Sequence, residues 1–138
     1  MAKRNQKRPQ TPFSLTMKLI DSNIIIYSTQ PDNSFLREFI AEHSPFVSAI
    51  SKVEVLGYYK LRPVEKKYLT EFLEEVAVID ISNVVIDKAV ALRQLKKISV
   101  ADSIIAATAL IYDLELVTRN ISDFKHIKGL KLHNPFAD

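Results

Sequence analysis

Four acidic residues, Asp21, Glu54, Asp102 and Asp123, each lie on a predicted helix or where a short apolar run meets one. Their contexts are LIDSN, SKVEVLGYY, VADSIIAATA and LVTRNISDF. An α/β sheet gathers its strand ends, so acids far apart in sequence can converge on one cleft outside those ends. Carboxylates in one place repel each other unless a hard cation such as Mg²⁺ or Mn²⁺ neutralises them. The first expectation is therefore a divalent-metal enzyme site built from oxygen ligands.

Each acid also has a plainer explanation. Asp21 stands between a strand and a helix, where Asp is a favoured N-cap; Ser99-x-x-Asp102 matches a capping box, and Asn120-x-x-Asp123 matches one more weakly. Glu54 has no capping role, and an isolated Glu on a helix is usually solvated. The joint pattern favours chemistry. Val53, Val55 and Leu56 surround Glu54, and Asp102 enters a helix whose first turn is otherwise small and apolar. An Asp there costs desolvation unless a cation or hydrogen-bond donors meet it. Glu71, Glu74 and Glu75 follow Lys66 and Lys67 on one helix and read as a solvated face. Asp80, at the end of VAVID, is the strongest competing acid, because a phosphoacceptor would also sit at a strand end.

The elements that must position these acids alternate along the chain. MKLI, PFVSAI, VAVIDI, ELVT and LKLH read as strands. SNIIIYS opens a helix, and helices are expected over 33–42, 51–61, from Pro63 through EKKYLTEFLEE, over 83–96 and over 99–112, with a short turn over 121–124. Strands separated by helices imply an α/β fold with a mostly parallel central sheet flanked by helices on both faces. Residues 1–16 are polar, basic and free of hydrophobic period; they read as a flexible tail, with Met17 as an alternative start of translation.

Composition removes several classes. The chain has 138 residues and no Cys, which excludes disulfides, Cys-ligated zinc and thiol catalysis. His43, His126 and His133 form no HxxxH-type pair and read as surface or edge residues. Two glycines, Gly57 and Gly129, cannot supply a glycine-rich phosphate loop. The net charge of +3 owes four positive charges to Lys3, Arg4, Lys7 and Arg8; from Met17 onward fifteen basic residues face sixteen acidic ones. A polyanion would thus be met by a local basic rim and metal ions rather than by a global field. The apolar run 103–112 is too short to span a bilayer, and 13–20 contains Lys18 and lacks a signal-peptide core, so a cytoplasmic, membrane-free location is expected.

LIDSNIIIYS, ISKVEVLGYYKL, KKISVADSIIAATAL and LVTRNISDFKHIKGLKLHNP, in this order between Met17 and Pro135, resemble the four motif blocks of the PIN-domain ribonucleases, specifically the VapC-type toxins of bacterial toxin–antitoxin pairs. The resemblance implies a PIN-like nuclease domain over 17–138 and a Mg²⁺- or Mn²⁺-dependent endoribonuclease. It also implies a cognate antitoxin and a homodimer. On this reading Asp21 and Asp102 are the principal metal ligands, and Asp123 is a further ligand, direct or through water. Glu54 either ligates a second ion or orients the attacking water. Ser22, Asn23, Thr118 and Asn120 would fix the carboxylates by hydrogen bonds. Lys52, Lys97 and Arg119 are candidate RNA phosphate contacts, with plain surface charge as the alternative. Two positions depart from the family pattern: Ser22 replaces the usual Thr, and Tyr112-Asp113-Leu114 lacks the usual Gly. The competing function class is a non-catalytic regulatory or scaffold module of α/β fold, with Asp80 as acceptor in the regulatory case.

Overall fold

The computed structural model describes residues 16–138, so all but the last residue of the expected tail lies outside the described residues. Its strands are short: β1 (Lys18–Ile20), β2 (Phe46–Ser48), β3 (Ala77–Ile79), β4 (Glu115–Val117) and β5 (Leu132–His133). They form one sheet in the order β3-β2-β1-β4-β5, with every neighbouring pair parallel. The helices are α1 (Ser22–Tyr27), α2 (Ser34–His43), α3 (Ala49–Leu56), α4 (Pro63–Glu75), α5 (Asn83–Leu95), α6 (Val100–Ile111) and α7 (Ile121–Phe124), with single 3₁₀ turns at Pro31–Asn33 and Pro135–Ala137.

Strand alternation sends successive side chains to opposite faces of the sheet. Leu19 and Leu116, paired across β1 and β4, enter a core with Val85, Leu92, Ile105 and Phe124 of α5, α6 and α7. Ile20 and Val117, the next pair, enter a second core with Ile24, Leu36, Val55 and Leu69 of α1 to α4. Complete burial of a side chain of this size contributes roughly 1.5–3 kcal/mol. These two layers bear out the expected α/β architecture. Among the described residues no helix is long and apolar enough to cross a membrane.

Local differences from the sequence reading have local causes. Ala49 and Ile50 begin α3 instead of ending β2, because the Ser48 hydroxyl accepts the Ile50 N–H and caps the helix. That helix stops at Leu56 rather than Leu61. Gly57 ends it, donating its N–H to the Val53 carbonyl, and a Cβ there would approach that oxygen to 2.3 Å. Asp113 takes the left-handed conformation (φ 54°) after α6, a backbone state that Gly adopts without strain and that Asp, with its short polar side chain, visits more readily than most residues. Its carboxylate lies 3.0 Å from Lys131 Nζ. Glu115 opens β4, inside the strand expected over ELVT, and pairs with the buried Lys18 at 2.6 Å.

Candidate active site

The chain runs outward from β1 to β2 and β3 on one side of the sheet and returns to β4 and β5 on the other. The strand order therefore reverses between β1 and β4, and the crevice beyond their carboxyl ends is where open parallel sheets hold ligands. Asp21 immediately follows β1, and Thr118 immediately follows β4. Asp21 is 4% exposed. Its Oδ1 accepts the Ser22 N–H at 2.7 Å, which is the expected helix cap, and its Oδ2 accepts the Thr118 hydroxyl at 2.8 Å. Thr118 Oγ1 in turn accepts the Asn120 N–H at 3.0 Å.

A second hydrogen-bonded line reaches in from α3. Ser22 Oγ donates to Glu54 Oε1 at 2.6 Å and lies 2.8 Å from Ser51 Oγ. A hydroxyl carries one proton, so with Ser22 committed to Glu54, Ser51 donates to Ser22. Ser51 is fully buried, and the sequence reading missed it. The available signal was its i,i+3 spacing from Glu54 on a helix face. Ser99 caps α6 by accepting the Asp102 N–H at 3.1 Å, as its spacing predicted, whereas Asn120 makes no side-chain cap.

The electrostatics show which acids face one another. Burial pushes the Asp21 carboxyl up from the ordinary 3.8 to about 6; the hydrogen bonds from Thr118 and Ser22 oppose this, and the negative charges of Asp102 and Glu54 reinforce it. Asp102 is also raised, first by burial and then by Asp123 and Glu54, with Ser99 hydrogen bonding offsetting part of the effect. The four acids are thus linked by mutual repulsion, with Asp21 buried, Asp102 half-buried and Glu54 and Asp123 exposed. Asp80, the competing acid, is exposed behind the edge strand β3.

Among the described residues no three acidic or histidine side chains are gathered closely enough to hold an ion as they stand. This does not conflict with a hard-cation site, since Mg²⁺ takes one or two carboxylates and keeps several waters. The residues present fit such an ion in their chemistry, since every side-chain polar group of the acidic set is an oxygen donor. Asn23, on the first turn of α1 after Asp21, has a buried Oδ1 with no hydrogen-bond partner.

A cleft of about 390 Å³ opens beside Asp102 and Asp123, walled by Lys96, Lys97, Ser99 and His126. Lys97 is thus on the cleft, and His126, read from sequence as a plain surface residue, joins it. The larger cavity of about 500 Å³ lies between α2 and the C-terminal turn, around Phe35, Phe39 and Phe136. It contains none of the four acids, whereas the smaller cleft is lined by two of them, Asp102 and Asp123. Lys52 is exposed on α3 next to Ser51. Arg119 is exposed and also packs on aromatic rings. Its guanidinium lies 4.2 Å from the Phe136 ring centre and 5.0 Å from that of Tyr27, tying the C-terminal turn to α1.

The PIN domain family profile matches residues 18–130. Among solved structures, a toxin–antitoxin complex from Klebsiella pneumoniae contains a chain 30% identical, with TM-score 0.70, covering 86% of this chain and 97% of that one. FitAcB from Neisseria gonorrhoeae is similar at 26% identity and TM-score 0.69, covering 87% and 99%. VapBC2 from Rickettsia felis, bound to a DNA fragment from their promoter, shares the fold at 24% identity and TM-score 0.74, covering 86% and 98%. No curated protein matched the chain. With the profile spanning most of the sequence, the chain belongs to the PIN domain family.

Proposed function

We propose that this protein is the toxin component of a type II toxin–antitoxin pair, a VapC-type endoribonuclease that hydrolyses RNA phosphodiester bonds with Mg²⁺ or Mn²⁺ in the cytoplasm. The observation that carries this reading is the buried Asp21, set at the switch point of a PIN fold and coupled to Asp102 and Glu54. A buried carboxyl facing two other acids is held at an energetic cost that a divalent cation would offset.

Asp21 and Asp102 would hold the ion, with Asp123 joining directly or through water. Such an ion supplies Lewis-acid polarisation of a phosphoryl oxygen, activation of water and charge neutralisation at the leaving oxygen. Thr118 and the Ser22 amide fix the two Asp21 oxygens, which leaves that carboxylate one orientation. The Ser51–Ser22 pair holds Glu54 by one oxygen, so it is placed either to orient a water or to hold a second ion. Lys97, on the cleft wall, is positioned to receive a substrate phosphate.

Incubation of the purified protein with total RNA tests the activity. Cleavage is expected with Mn²⁺ and is expected to stop in EDTA; cleavage that persists in EDTA refutes the metal requirement, and no cleavage under any divalent ion refutes the enzyme.

The antitoxin reading rests on the family and on the solved toxin–antitoxin complex. Exposed apolar residues, among them Phe35, Tyr58 and Tyr59, leave surface for that partner and for a second copy of the chain. A dimer by light scattering is expected, as is loss of cleavage on adding the product of an adjacent small gene. A monodisperse monomer would remove the first expectation, and unchanged cleavage the second.

A further inference from the structure

A second cleft, of about 400 Å³, continues from the acidic one. Its walls include Lys88, Leu92, Leu95 and Lys128, and it shares Lys96 and His126 with its neighbour. Its rim is basic. Lys88, Lys96, Lys97 and Lys128 are all exposed, and among the described residues none of them makes an ion pair. In a body with slightly more acidic than basic residues, four unpaired lysines around two joined clefts form a local polyanion site. The floor is apolar, and Leu95 stands 81% exposed at the end of α5. A surface of this kind suits a chain with charged groups at its edge and flat apolar faces toward its centre, which describes single-stranded nucleic acid.

We propose that this second cleft is an RNA subsite: Lys88 and Lys128 hold the backbone phosphates of the strand leaving the acidic cleft, and Leu95 packs against a base. This rests on the RNA-cleaving reading above and extends it by assigning the direction in which the substrate runs, over Lys96 and His126 toward α5 and the loop after α7.

The test uses the full chain carrying Asp21→Asn, so that RNA is bound without being cut, and a fluorescein-labelled random-sequence RNA of about 12 nucleotides. Combining Lys88→Ala with Lys128→Ala should weaken binding about tenfold at about 0.1 M salt, and should reduce the slope of log affinity against log salt by about 1.4, two phosphate contacts at about 0.7 each. Leu95→Ser should weaken the longer RNA about threefold with no change of slope. Lys66→Ala with Lys67→Ala, the same charge change on exposed positions of α4, should do nothing.

Equal affinity and slope for the Lys88/Lys128 pair and its parent overturns the proposal, as does an equal loss in the α4 control. Dissociation of a dimer at unchanged RNA affinity would assign the surface to a contact between copies and overturn it too. In each of these cases cleavage of RNA by the wild-type protein leaves the enzymatic reading standing. A wild-type protein that neither binds nor cuts RNA removes both.

Discussion

Replacing Asp21 by Asn should abolish RNA cleavage and, in EDTA at neutral pH, raise the melting temperature. The two effects have one cause. The folded protein displaces the Asp21 carboxyl from 3.8 to about 6, chiefly by burial. Between those values the native state binds more proton than the unfolded chain, so stability falls as pH rises through the window. Above it the full cost of holding a buried charge is in place, on the order of 3 kcal/mol at about 1.4 kcal/mol per pH unit.

Asparagine removes that charge but cannot accept both the Ser22 and the Thr118 hydrogen bond, a loss of about 1 kcal/mol. A net gain of about 2 kcal/mol remains, or a rise on the order of 5–10 °C. The gain should be gone by about pH 4, where little of the electrostatic cost remains, and below about pH 3 the wild-type carboxyl is protonated whether folded or not. Thermal melts of both proteins from about pH 4 to 8 read the difference directly. Adding Mn²⁺ should stabilise the wild type and leave the variant unmoved, since a ligand stabilises only the form that binds it. Asp102→Asn should abolish cleavage likewise. Activity surviving in both variants would reject the assignment of these acids, and a melting difference independent of pH would reject the electrostatic account.

Phe124→Ala should be the most damaging single truncation outside the acids. Phe124 is fully buried against the core of α5 and α6, and is the only buried residue of the four-residue α7 that carries Asp123. A helix of one turn has no independent stability, and this one lacks a side-chain N-cap, so its position depends on that anchor. Loss of the ring should cost about 3–5 kcal/mol. Denaturant titration measures this. At a temperature where circular dichroism shows the variant still folded, cleavage should fall at least about tenfold, because a misplacement near 1 Å can be that costly. Phe124→Leu, which keeps most of the volume, should lose less than about 1.5 kcal/mol and retain cleavage. Full activity in a folded Phe124→Ala protein would mean that the placement of Asp123 does not depend on α7.

Much of the architecture follows from local rules. The alternation of short apolar runs with helical periodicity is enough to read an α/β sheet, because periods of 2 and 3.6 are properties of neighbouring residues. Asp21 and Ser99 announce their capping roles for the same reason: a cap bonds within its own helix turn. The Asp21–Thr118 hydrogen bond joins residues separated by 97 positions and exists because β1 lies beside β4. Strand order leaves no trace in local periodicity, so the switch point could not be read from it. The Ser51–Ser22–Glu54 line likewise requires α3 to pack on α1. Lys96 and His126 belong to different segments and share a cleft wall only once α5 and the loop after α7 are brought together. Residue types at single positions announce the acids and their caps; burial, like-charge coupling and the raised Asp21 carboxyl arise from long-range packing, which removes water from groups that each look solvated in isolation.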